Sequence, residues 1–246
     1  MEKIVDLESL FEFILSADYI KQDAMSGGNI DIPIYDITAE QFLEFAKNAI
    51  SSETKESIVN AVSNLKRAID CEMDLFFESM NIKRIFDKNN LKFEIKSKFF
   101  LDAGLLPTHS INKLNTIRNK LEHEYQMPQI SDVRTYYELA WDVVKIIELY
   151  LELIYTNGEI NMSLEKGHKK YYLIIGYDVE LCGFIFEIYD WTEGADRKEK
   201  QITVYLKNKS DYDSFIKAFR FYLFSIKFFN LGNVELYKKN IKKLKI

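Results

Sequence analysis

The sequence predicts an α+β fold: a bundle of helices, then a small antiparallel β-sheet with flanking helices. Three observations predict it. From Thr38 to about Thr156, apolar residues recur at three- and four-residue steps, the period of one helix face. Asn157-Gly158 stops that pattern, and 171–177, 181–190 and 201–207 then read as strands, with Ile202, Val204 and Leu206 alternating with polar neighbours. Beyond these, 210–230 and 234–244 return to helical spacing.

Taken in order, residues 1–37 read as an N-terminal helical and extended arm. Val5, Leu7, Leu10, Phe11 and Ile14 predict a helix over 5–20, which Ser26-Gly27-Gly28 breaks. Ile30, Ile32 and Ile34 alternate with polar residues or Pro33, an extended segment that proline confines to an edge or a surface crossing. The helical domain spans 38–157. Thr38, with Gln41 three residues on, forms a capping-box pattern, and Phe42, Phe45, Ala46 and Ile50 share a face over 39–50. Ser52 opens a long helix to about Asn81 along Ile58, Val62, Leu65, Ile69, Met73 and Phe76. The next runs from about Asn90 to Ala103 and stops at Gly104. Ser110 caps a helix to about Tyr125, Pro128 ends it, and Ser131 caps a last long helix to about Tyr155.

A C-terminal α+β domain spans 165–246. The short turn Asp178-Val179-Glu180 joins its first two strands as a hairpin, and Thr192–Lys200 reads as a polar loop. Ser210 caps a helix whose aromatic residues go almost all round, so two of its faces are covered. The last helix, Val234 to Leu244, is rich in lysine.

Composition narrows the function classes. The 246 residues hold 33 Lys and Arg against 38 Asp and Glu, a net charge of -5, so any contact with nucleic acid is local. The two cysteines, Cys71 and Cys182, are far apart, which excludes a disulfide framework or a Cys-rich zinc module and fits a reducing compartment. The opening run Met1–Asp6 lacks the layout of a signal peptide. The most apolar stretch, 171–189, is interrupted by Asp178, Glu180 and Glu187. The expectation is a cytoplasmic protein with no membrane span. No Gly-rich phosphate loop, H-E-x-x-H metal spacing or G-x-S-x-G nucleophile elbow occurs, and no metal or cofactor is expected.

The decisive segment is LNTIRNKLEHEY, Leu114 to Tyr125. At about 100° per residue, Leu114, Ile117 and Leu121 fall within about 60° and form the core stripe. His123 lies nearly opposite, with Asn119 its i,i+4 neighbour; Arg118 and Glu122 sit on a flank between. A histidine, an asparagine, an arginine and a carboxylate thus face away from the domain's own core. Arg118 and Glu122 equally suit a surface ion pair, with His123 merely solvated.

The run RNKLEHEY resembles the R-x4-6-H motif of the HEPN superfamily, in which Asn follows Arg and, in toxin members, Tyr stands two after His. Arg118, Asn119, His123 and Tyr125 match, and the order of helices over 38–156 is similar. The resemblance implies a HEPN-like helical bundle. It also implies a metal-independent endoribonuclease that acts as a homodimer on single-stranded RNA, in a toxin or antiviral defence setting. RNA supplies its own nucleophile, the 2′-OH. One imidazole takes its proton and another protonates the leaving 5′-oxygen, while guanidinium binds the charged phosphorane. The products are a 2′,3′-cyclic phosphate and a 5′-hydroxyl. His109 and His168 have no motif company, so the second imidazole comes from a two-fold partner.

Within that scheme Arg118 and His123 are the catalytic pair. Asn119 orients the imidazole or holds the phosphate, and Glu122 positions Arg118. Tyr125 is the site of adenylylation by a partner nucleotidyltransferase, as in toxin–antitoxin relatives, an amphipathic residue at the edge of the core face, or a residue that stacks on the substrate. Asp70, on the long helix, is a candidate brace. The alternative is a non-catalytic HEPN-derived module that binds nucleic acid or a nucleotide. A third reading has the C-terminal domain sense a trigger through 192–200. The lysines of the last helix track an RNA backbone or are solvated, and the C-terminal aromatics stack bases or form core.

Overall fold

The computed structural model describes residues 4–83, 86, 92–106, 116, 117, 119–121, 123–194 and 197–245. The chain is α+β, with helices and one five-stranded antiparallel sheet. It forms two compact units: Asp31–Glu152, and Met1–Ile30 together with Leu153–Ile246.

The first of these units is helical. Helix α2 (Ala39–Ser52) starts in the expected capping box, Thr38 accepting from the Gln41 N–H and Gln41 from the Thr38 N–H. It runs two residues further than its apolar pattern, to Ser52, and is followed by Glu53, whose φ of 51° turns the chain. Helix α3 (Lys55–Ser79) is therefore opened by Thr54 and Ser57, a second capping box, and not by Ser52. Its stripe Val62, Leu65, Ile69, Met73 and Phe76 is buried, and it pairs with α2. Helix α4 (Phe93–Asp102) ends just before Gly104, which takes φ 73° as a C-terminal glycine should. Phe76 and Phe77 of α3 pack edge-on with Phe100 and Phe99 of α4 at ring separations of 5.0 and 5.1 Å. Helix α5 (Ile130–Thr156) follows, and its last turn belongs to the second unit.

The second unit is built on the sheet order β1-β2-β3-β4-β5. Residues 1–37, read from the sequence as one arm, are instead divided between the units. The helix expected over 5–20 is α1 (Leu7–Leu15), capped by Asp6 and Ser9. It is followed by strand β1 (Tyr19–Ser26), which pairs with β2 (Glu159–Lys166) from Tyr19↔Glu165 to Ser26↔Glu159. Only Ile20 of β1 is buried, so this edge strand leaves almost no alternation to read. The partner β2 does alternate, with Ile160, Met162 and Leu164 turned to the core. The hairpin β3 (Lys169–Asp178) and β4 (Gly183–Asp190) forms as expected. Strand β5 (Arg197–Tyr205) begins inside the segment expected to be a loop, and a bulge between Ile188 and Tyr189 absorbs the register change.

Helix α6 (Tyr212–Leu231) lies on one face of this sheet. Its Phe215, Phe219 and Tyr222 meet Phe184, and Phe221 meets Phe186. Its other side is covered by α1, through Phe11 and Phe221, and by α7 (Val234–Leu244), where Tyr237 stacks on Phe228 at 4.6 Å. An aromatic helix covered on two faces is thus what the sequence encodes. The lysine-rich α7 buries Ile241 and Leu244, while Lys238 donates to the Ala17 carbonyl and Lys245 pairs with Glu12. Among the described residues no helix is long and apolar enough to cross a membrane.

Candidate active site

Of the motif segment, residues 116, 117, 119–121 and 123 are helical, whereas Pro107–Asn115, Arg118 and Glu122 lie outside the described residues. Ile117 and Leu121 are half-buried; Asn119 and His123, two residues further on in each case, are exposed. At about 100° per residue these two pairs occupy opposite faces, and the exposed pair stacks one turn apart. The helix stops at His123, short of the sequence expectation. Tyr125 takes φ 55°, and the Gln126 N–H reaches back to the Lys120 carbonyl at 3.0 Å. A left-handed non-glycine residue costs about 1 kcal/mol. Tyr125 is therefore not on the edge of the core face: it follows the helix end and is 87% exposed. His168 is exposed at the tip of β2–β3, and His109 lies outside the described residues.

Asp70 has a defined set of partners. Lys96 of α4 is only 3% exposed, and its Nζ lies 2.8 Å from Asp70 Oδ1 and 3.1 Å from Asp74 Oδ2. The two carboxylates are one turn apart on α3, so a single ammonium bridges both. Lys66 adds a looser contact to Asp70 at 4.0 Å. The structure thus places Asp70 on a buried cation of its own unit, a structural task that a lone helix carboxylate does not reveal.

Sequence reasoning missed Glu72. It is buried on α3, facing Lys145 and Glu148 of α5 and Glu40 of α2. Burial foremost, then the negative charge of Glu148 and Glu40, push its carboxyl up to about 7; Lys145 opposes them. Lys145 itself bonds Glu148 at 2.8 Å and Glu40. The signal was on the helix face: Ile69, Glu72 and Phe76 follow the i, i+3, i+7 rhythm of the core stripe. Next to it, burial and the charges of Glu72 and Asp74 raise the Cys71 thiol to about 11, so Cys71 is no thiolate nucleophile at neutral pH. Among the described residues no three His, Cys, Asp or Glu side chains are grouped to hold a metal ion.

The described part of the motif thus presents an imidazole and a carboxamide to solvent, neither tied down by the protein's own core. Such a pair can exchange protons with, and hydrogen-bond to, a bound phosphodiester. No protein-family model matches the chain, nor does any curated protein or solved structure.

Proposed function

We propose that this protein is a HEPN-type endoribonuclease that cleaves single-stranded RNA without a metal, in a composite site between two copies, serving as a toxin or in antiviral defence. The observation that supports the reading best is the exposed Asn119–His123 pair, opposite half-buried Ile117 and Leu121, inside the run RNKLEHEY. In this reading the 2′-OH attacks the adjacent phosphorus. His123 of one copy takes its proton, and the imidazole of the other copy protonates the departing 5′-oxygen. Each transfer is worth about 10²–10⁴ in rate. The Arg118 guanidinium of each copy neutralises the phosphorane, and Asn119 orients His123 or the phosphate. The exposed Tyr125 hydroxyl is open to a modifying partner.

The test is cleavage of a labelled single-stranded RNA in EDTA, with analysis of the new ends. The expected products carry a 2′,3′-cyclic phosphate and a 5′-hydroxyl, and His123→Ala or Arg118→Ala abolishes them. Cleavage that needs added Mg²⁺, or that survives both substitutions, removes the mechanism. Light scattering in the presence of RNA should report a dimer; a strict monomer argues against a shared site.

A further inference from the structure

Helices cover one face of the sheet, and the other is open. An open antiparallel face is normally polar. This one displays four large rings. Along the register, Tyr19, Glu165 and Lys170 form one cross-strand row, and Lys21, Ser163, Tyr172 and Tyr189 the next. Trp191 follows at the end of β4, its N–H bonded to the Lys170 carbonyl. Together they line an open cleft of about 860 Å³, with Tyr19 51% and Trp191 46% exposed. Beyond Ile174 the face continues into a second cleft of about 330 Å³, floored by Gly176.

The chemistry around the rings selects an occupant. Lys21 and Lys170 line the cleft and have no ion-pair partner among the described residues, unlike Lys198, which pairs with Glu187. Asp23 accepts from Ser163, and Glu165 stands between Tyr19 and Lys170. The centre of a protein–protein interface is depleted of Lys, Asp and Glu; here they interleave with the rings. Rings offer stacking surfaces to bases, unpaired ammoniums meet phosphates, and carboxylates accept amino hydrogens from base edges.

We propose that the open face of β1–β4 is a docking surface for a short run of single-stranded RNA. Bases stack on Tyr19, Tyr172, Tyr189 and Trp191, and Lys21 and Lys170 hold the phosphates. The choice of RNA rests on the ribonuclease reading, and the surface would then recruit the strand that the motif cleaves.

The experiment uses the full chain carrying His123→Ala, so that the probe stays intact. Fluorescence anisotropy follows an end-labelled, eight-nucleotide single-stranded RNA in EDTA. Tyr172→Ala and Trp191→Ala should each weaken binding about tenfold or more. Lys21→Gln with Lys170→Gln should flatten the salt dependence. Thermal melts matching the parent show that the fold is kept, as the exposure of Trp191 leads one to expect. RNA that fails to bind the parent, or that binds all these variants as it binds the parent, overturns the proposal. The two readings fail separately. If the surface variants bind normally, and cleave normally when made with His123 intact, while His123→Ala is inactive, the docking surface falls and the nuclease stands. If the surface variants lose binding but the chain with His123 intact cleaves no RNA, the nuclease falls and the docking surface stands.

Discussion

Replacing Glu72 by Gln should stabilise the helical unit at alkaline pH and do little in acid. The buried carboxyl titrates near 7 in the folded chain against an ordinary 4.5, so the folded state holds a proton that the unfolded state has released. A group raised in this way gives its full relative stability below about pH 4.5 and loses it as the pH climbs through 7. At about 1.4 kcal/mol per pH step, the buried glutamate costs under about 1 kcal/mol relative to a neutral isostere at pH 5 and about 3 kcal/mol at pH 8. The substituted amide keeps the size of the side chain, still faces Lys145, and avoids that cost. The assay is urea unfolding at both pH values in a Trp191→Phe background. The signal then comes from Trp141, the remaining tryptophan, which lies in the helical unit. The midpoint of the Glu72→Gln variant should exceed that of its parent clearly at pH 8 and slightly at pH 5. An equal advantage at both pH values, or a lower midpoint at pH 8, would refute the reasoning. The latter would mean that Lys145 stabilises ionised Glu72 by more than burial and its acidic neighbours disfavour it.

Other consequences follow from backbone approach and from buried charge. A methyl group on Gly158 would stand 2.0 Å from Gly28 Cα and 2.4 Å from Gly28 N, so Gly158→Ala must push two backbone segments apart. It should cost about 3 kcal/mol or more and lower the melting temperature; a melt unchanged from the parent would remove the close approach. Joint replacement of Asp70 and Asp74 by Asn leaves the Lys96 ammonium buried without a counter-charge, which should cost about 3–5 kcal/mol. Restoring a neutral core by adding Lys96→Met should recover most of that loss, and failure to recover it would show that the three residues are not one unit. Tyr222→Phe removes the 2.6 Å bond to the Asn157 carbonyl at the end of α5, for an expected loss of about 1–2 kcal/mol in chemical denaturation.

Several features were legible because their signals are local. The Thr38–Gln41 capping box and Gly104 act within a few residues and lie where their types predict, while the expected hairpin turn runs over 179–182, one residue later and one longer than Asp178–Glu180. Other features had a local signal too weak to read, or one that another pattern masked. The apolar spacing of residues 5–14 carries on to Ile20, so the first two residues of a polar edge strand read as the end of a helix. Glu53 in a left-handed conformation moved the α2–α3 junction, though Ser52 is an equally good cap by type. At the motif, the spacing of Ile117, Asn119, Leu121 and His123 separates a half-buried face from an exposed one. The reversal at Tyr125, by contrast, was not predictable from a residue that seldom takes positive φ.

From the sequence by itself came the helix periods, the Thr38–Gln41 cap, the β3–β4 hairpin and the identity of the motif residues, since each depends on neighbours no more than a few positions away; Ser52, Ser131 and Ser210, read as caps, are not, since the helices start at Lys55, Ile130 and Tyr212. The tertiary structure decided where distant partners meet. It placed β1 beside β2 across more than a hundred residues, put Glu72 against Lys145 and Glu148, and set Lys96 between two aspartates. It also decided which face of the sheet stays open. Burial and pairing of this kind depend on segments brought together by collapse of the whole chain, and no window of sequence records which segment will arrive.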